Sequence, residues 1–185
     1  MQLAIACDWR GQPLVPAARA QIELARDADA WRVAFDAPYF ADPPPPSPIG
    51  STPRLWEHEV IELFVAGASE HYLELEFGPH GHYLALELSG VRRVVREGMP
   101  LQYAVQISAL EDPTSAKPAG ACGAPVGRYR GTAIVPVSYL PRSPERVNAY
   151  LIHGGSADRC HHAHAAVPGE RPDFHQLEHF VPLSW

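Results

Sequence analysis

Trp56 is followed at short spacing by Glu57, Glu59 and Glu62, and Glu74 and Glu76 alternate through the next apolar run, YLELEF. Sugars need this mixture. An aromatic ring covers the apolar C–H face of a pyranose, and carboxylates accept hydrogen bonds from its hydroxyls. Trp56 as a stacking plate, with Glu59, Glu62, Glu74 and Arg130 as hydrogen-bonding partners, predicts a small-ligand site of carbohydrate type. The structural alternative is that the glutamates pair with Arg92, Arg128 or Arg130, since ion pairs use the same groups. Glu62 and Glu74 would also serve a glycoside hydrolase, which needs two carboxyl groups about 5 to 9 Å apart. Strand neighbours meet that spacing easily. A hydrolase also needs a deep cleft, which a chain with such short loops is poorly equipped to build.

Cys160-His161-His162-Ala163-His164 is a second candidate. Side chains alternate along an extended chain, so His162 and His164 would share one side, with His161 on the other. A zinc or copper site there would need further ligands, such as His153 or His175. No CxxC or HExxH motif accompanies it, so adventitious zinc is an alternative to a specific metal. There is no GxSxG element and no glycine-rich phosphate loop.

The elements that must position these residues are strands. LWEHEVIELFV, residues 55–65, is apolar on both faces and predicts a buried central strand. Within it Trp56, His58, Val60, Glu62 and Phe64 alternate with Glu57, Glu59, Ile61, Leu63 and Val65. Residues 72–77 and 82–88 follow as a meander, with Leu73, Leu75 and Phe77 facing away from Tyr72, Glu74 and Glu76. The return strand sets His82, Leu84, Leu86 and Leu88 against Tyr83, Ala85 and Glu87. One greasy face and one face of rings and carboxylates are expected for this meander. Upstream, residues 20–26 and 30–36 form a hairpin around Asp27-Ala28-Asp29. Residues 43–48, PPPPSP, make a stiff surface connector, because proline offers no N–H to a ladder. Further strands are expected near residues 91–96, 101–108, 128–137, 147–153 and 179–183, with a long loop over 111–127. Many short strands joined by turn residues predict an all-β fold, a two-sheet antiparallel β-sandwich, as one domain over residues 1–185.

Composition narrows the function classes. The 185 residues carry a net charge of -6, and Arg92, Arg93 and Arg96 are too few for a nucleic-acid footprint. No apolar run approaches the ~18 residues of a membrane span. The start, MQLAIACDWRG, does not resemble a secretory signal, and three widely separated cysteines suggest reduced thiols, so a cytoplasmic location is expected.

LWEHEVIELFV followed by YLELEFGPHGHY resembles bacterial DOMON-like proteins related to family 9 carbohydrate-binding modules. Asn148-Ala149-Tyr150, His161-His162, Pro172-Asp173-Phe174-His175 and Phe180 resemble that group's downstream signature. The resemblance runs from about Leu55 to the C-terminus. It implies a β-sandwich and a non-catalytic ligand-binding role, with a sugar or, for some DOMON domains, haem as ligand. A haem held by a Met/His pair would call on Met99. Family 9 modules hold a sugar between two tryptophans and often carry structural calcium. Trp56 would be one plate. The chain departs from the pattern at Ala163-His164-Ala165-Ala166, so His162, His164 or Phe174 would supply the second, with His175 beside it.

Overall fold

The computed structural model describes residues 1–110, 122–155 and 158–185. Among them the strands are β1 Gln2–Ile5, β2 Cys7–Asp8, β3 Ala20–Arg26, β4 Ala30–Tyr39, β5 Val60–Ala66, β6 His71–Phe77, β7 Tyr83–Ser89, β8 Val94–Glu97, β9 Gln102–Ala109, β10 Gly127–Pro136, β11 Arg146–His153, β12 Cys160–Ala163 and β13 Val181–Pro182. They form two sheets. One has the order β1-β3-β4-β10-β9; the other has the order β2-β12-β11-β5-β6-β7-β8, with β13 paired to the start of β11. Every pairing between named strands is antiparallel. The expected two-sheet sandwich is the fold.

Period-two alternation explains the main core. Ile22 and Leu24 of β3, Trp31, Val33 and Phe35 of β4, and Ala133 and Val135 of β10 face the second sheet. Ile61, Leu63 and Val65 of β5, Leu73, Leu75 and Phe77 of β6, and Val147, Ala149 and Leu151 of β11 meet them. The second sheet buries its other face as well. Val60, Phe64, Tyr72, Leu84, Leu86, Leu88, Tyr150 and Ile152 lie there beneath Val167, Phe174, Leu177 and Phe180 of the C-terminal segment. Burial on both faces is why VIELFVA reads as an unbroken apolar run.

Three expectations are corrected. Residues 55–65 are not one strand: Leu55–Glu57 form a 3-10 turn, entered through Arg54 in the left-handed region at φ 60°, and the strand starts at Val60. Trp56 therefore stands outside the ladder and is 38% exposed. In the meander, the register pairs Glu74 with Leu86 and Glu76 with Leu84, which puts the β7 leucines on the glutamate face; Ala85 and Tyr83 turn to the inter-sheet core. Finally, Cys122 and Cys160 form a disulfide with Cα atoms 5.7 Å apart, so only Cys7 is a free thiol. The sequence could not show this pairing because 38 positions separate the two residues. The expected loop over 111–127 lies, through residue 121, outside the described residues. No described helix is long and apolar enough to cross a membrane.

Gly131 on β10 is required for space. A Cβ there would clash with the Cζ edge of the Phe35 ring, which packs against Phe77, Tyr103 and Tyr129. Gly131→Ala is expected to destabilise the fold by ~1–3 kcal/mol, the usual cost of overpacking. Gly155→Ala, with nothing within 4 Å of the new methyl group, should stay close to wild type. Urea denaturation midpoints of the two variants check this; equal midpoints would mean that the Phe35 cluster yields freely.

Candidate functional site

Pairing of β5 with β6 sets Glu62 opposite Glu76 and Phe64 opposite Glu74. Because side chains alternate along a strand, the three glutamates emerge on the outer face of the second sheet. A carboxylate oxygen from each lies within 4.8 Å of those from the other two. The side chains are buried, Glu76 completely. Among the described residues, both oxygens of Glu76 and Oε2 of Glu74 have no well-formed hydrogen-bond partner, although Glu74 and Glu76 are near enough to share a proton and the Trp56 backbone N–H acts on Glu76. Burial, the dominant effect, raises all three pKa values: Glu74 to about 8, and Glu62 and Glu76 well above the ordinary value. The charge of Glu74 pushes Glu62 further up, and those of Glu62 and Glu74 push Glu76 up, while Arg92 partly offsets the rise at Glu74.

Above this floor opens a cavity of about 690 Å³. Glu62, Glu74, Phe64, Leu86, Leu88 and Ile152 come from the sheet, and Trp56 and Glu57 from the 3-10 turn. Arg92 and Val94 close one side; Arg159 and His161, around the start of β12, line another. Pro172, Phe174 and His175 of the C-terminal segment complete the wall. Hydrogen bonds hold that segment in place. Arg92 Nη2 donates to Asp173 Oδ1 at 2.9 Å, and the His175 N–H donates to the same oxygen at 3.1 Å. The Tyr72 hydroxyl accepts from the Arg92 N–H at 3.0 Å and shares a 2.7 Å hydrogen bond with His175 Nδ1. Burial lowers the His175 pKa to about 4, helped by Arg92, so its ring is neutral near pH 7.

Phe174 stacks on Tyr150 with centroids 3.7 Å apart and meets the edge of His161. Asn148 Nδ2 donates to the Tyr150 hydroxyl at 2.7 Å and to the Ala165 carbonyl at 3.0 Å. Asn148, Tyr150, Asp173, Phe174 and His175 thus belong to one clamp. Arg159 fixes the other end: its guanidinium donates to the carbonyls of Gly154 and His58, both at 2.8 Å, and to that of Trp56. The strand-end arginine therefore anchors the turn that presents the indole.

Five of the nine expected ligand residues line the cavity: Trp56, Glu62, Glu74, Phe174 and His175. The other four are placed elsewhere. Glu59 accepts from the N–H groups of Phe40 (2.8 Å) and Asp42 (3.1 Å); burial still raises its pKa to about 7. Arg130 belongs to the other sheet, where its Nε pairs with Asp36 at 2.7 Å. His162 is buried with its ring 5.2 Å from that of His153, which in turn stacks on Phe40. His164 Nδ1 lies 2.9 Å from the Ala4 carbonyl oxygen. Among the described residues, the only group of three or more metal-ligating side chains is Glu62, Glu74 and Glu76; neither His162 nor His164 joins one. Met99 is buried in the inter-sheet core, so it is not placed to face a haem in this cavity.

Arg92 was legible only as a partner for glutamates, and Arg159 and His161 were missed as cavity residues. Their signal was position beside Cys160, but the sequence does not say that β12 borders β11, across which lies β5. Leu86 and Leu88 reach the cavity because β7 pairs with β6 so that its leucines share the glutamate face, not the inter-sheet face that their apolar character suggests.

No family model matches the sequence. Curated relatives are similar along most of the chain. The mouse "UPF0462 protein C4orf33 homolog" is 32% identical over 196 residues, covering 100% of this chain and 92% of its own. The human "UPF0462 protein C4orf33" is 35% identical over 160 residues, covering 82% of this chain and 72% of its own. These relatives are vertebrate proteins, so the bacterial label attached to the resemblance is not supported. Among solved structures, a Bacteroides uniformis protein provisionally assigned to carbohydrate binding aligns with a TM-score of 0.63 and 14% identity, over 98% of this chain and 84% of that one. It shares the fold. A family 9 carbohydrate-binding module from Caldicellulosiruptor kristjanssonii, in complex with glucose, aligns with a TM-score of 0.44 and 13% identity over 82% of this chain and 69% of that one. That likeness is too distant to carry an argument.

The buried acids have a consequence for stability. A carboxyl group whose pKa is raised on folding stabilises fully below its unfolded value, near 4.5, and loses that contribution as pH rises through its folded value. His153, His161, His162 and His175 have lowered pKa values, to about 3, 4, 4 and 4, all chiefly through burial, so their contribution is lost below about 6.5 and opposes the acids there. Between pH 6.5 and 8 the acids act without this opposition. The urea midpoint should fall across that window, and Glu74→Gln should reduce the fall; a midpoint that holds level in the wild type would contradict a protonated cluster.

Proposed function

The chain belongs to the UPF0462 family, and we propose that its outer-face cavity binds a small carbohydrate without turning it over. One observation carries this: a single cavity joins the exposed indole of Trp56 to a floor of buried, underpartnered carboxyl groups. The indole offers a flat apolar plate, and Phe174 offers a second ring along the wall. A protonated carboxyl both donates and accepts, which matches a sugar hydroxyl. Arg159 and Arg92 add charged donors at the sides. The carbohydrate binding assigned to the Bacteroides uniformis protein agrees with this reading, although the likeness itself speaks only for the fold.

The same carboxyl groups argue against hydrolysis. A retaining glycosidase needs one carboxylate ionised as nucleophile beside a protonated acid. Here burial favours the neutral form of Glu62, Glu74 and Glu76 alike. The His162/His164 metal alternative has no comparable support, since their surroundings supply no third ligand among the described residues.

Calorimetric titration with neutral mono- and disaccharides tests the reading. At least one should bind, and Trp56→Ala should weaken it tenfold or more, about 1.4 kcal/mol. Trp56 stands outside both cores, so its loss should leave the fold intact. Absence of heat with every sugar, at protein concentrations that would register millimolar affinity, would end this proposal.

A further inference from the structure

Three carboxyl groups sharing one buried spot exceed what hydrogen bonding to a neutral sugar requires. They repel one another when ionised, and among the described residues no cation forms an ion pair with them. Glu62 and Glu74 line the cavity, while Glu76 lies behind, fully buried, with neither oxygen in a well-formed hydrogen bond among the described residues. The nearest guanidiniums are engaged elsewhere: Arg92 with Asp173, and Arg159 with three backbone carbonyls. A complement of opposite charge must come from the ligand if the group is to ionise.

Two kinds of cation fit oxygens within 4.8 Å of one another. A calcium ion takes six to eight oxygens, about 2.3–2.6 Å away, so it would need all three carboxylates bidentate or water to complete its shell. The neighbouring walls are Phe64, Leu86, Ile152 and Phe174, whose side chains bring no oxygen. A primary ammonium needs only three acceptors, one for each N–H, and it gains from aromatic faces around it. A cavity of about 690 Å³ is also far larger than an ion and is the size of a small organic ligand.

We infer that the ligand carries a protonated primary amine received by Glu62 and Glu74, with Glu76 behind them adding a third negative charge, so that the cavity takes an amino sugar in preference to a neutral one. The sugar half of this inference rests on the carbohydrate reading above; the amine half rests on the glutamate cluster alone. Trp56 then covers the ring of the sugar while the amine reaches the floor.

The test titrates the full chain at pH 7, in buffer treated with chelator, with glucosamine, glucose, N-acetylglucosamine and cyclohexylammonium chloride. Glucosamine should bind at least tenfold more tightly than glucose or N-acetylglucosamine, which lacks the charge. Glu74→Gln should bring the glucosamine-to-glucose affinity ratio close to one; Glu62→Gln, checked for folding by circular dichroism, serves if the first variant does not fold. Equal affinity for glucose and glucosamine would overturn the inference and leave the carbohydrate reading standing. Binding of cyclohexylammonium with no response to any sugar, glucosamine included, would overturn the carbohydrate reading and the sugar half of this inference together, leaving only the amine half. A calcium titration forms the last arm: tight binding that Glu74→Gln abolishes would assign the cluster to a metal and overturn the amine.

Discussion

A carboxyl group in the middle of a sheet that is covered on both faces must be neutral, hydrogen-bonded or matched by a cation. Glu62, Glu74 and Glu76 are in that position, on adjacent central strands of the second sheet. Among the described residues, oxygens of Glu74 and Glu76 have no well-formed hydrogen-bond partner. Replacing these side chains by apolar ones would cost the fold little and spare it the desolvation. Their presence at the floor of the cavity is therefore better explained by what enters the cavity than by what the fold needs. Glu59 gives the contrast. It is as buried, yet two backbone N–H groups bind its oxygens, and its task is to hold the chain at Phe40 and Asp42.

The cavity exists because the sandwich has a third layer. The C-terminal segment crosses the outer face of the second sheet and packs Phe174, Leu177 and Phe180 over Phe64, Tyr72 and Tyr150. It is pinned at Tyr72, Arg92 and Asn148 and stops short of covering the glutamates. The 3-10 turn bearing Trp56 approaches from the opposite side and is held by Arg159. Two irregular segments, each fixed to the sheet by an arginine, thus frame an opening over a regular floor. The floor is rigid because β5 is buried throughout and β6 from Tyr72 onward, which suits a site whose polar atoms must be preorganised.

Acidic floor and basic sides also set how the site responds to its surroundings. Arg159 lowers and Glu74 raises the pKa of Glu62, so the protonation of one carboxyl depends on the others and on any charge brought in. The histidines around the cavity and behind it, His153, His161, His162 and His175, are all held neutral by burial. They contribute shape and ring edges at neutral pH, with no added charge.

Alternation of apolar and polar residues made the all-β sandwich legible from the sequence, along with the apolar faces of β4 and β6 and the placing of Glu74 and Glu76 on one face of β6. These follow from period two, a local property of extended chain. Trp56 is legible by its residue type, whereas the alternation that would set it on one face with Glu62 fails because Leu55–Glu57 form a 3-10 turn. Tertiary structure alone decided which glutamates share a cavity with it. Glu59 and Arg130 have the right chemistry but are committed to Phe40, Asp42 and Asp36; Arg92, Arg159 and His161 reach the cavity from segments far apart in the chain. Register between strands and the path of the covering segment depend on long-range packing, and a one-residue change in register moves a side chain to the opposite face, which is why the β7 leucines and the Cys122–Cys160 pair became visible only in the folded molecule.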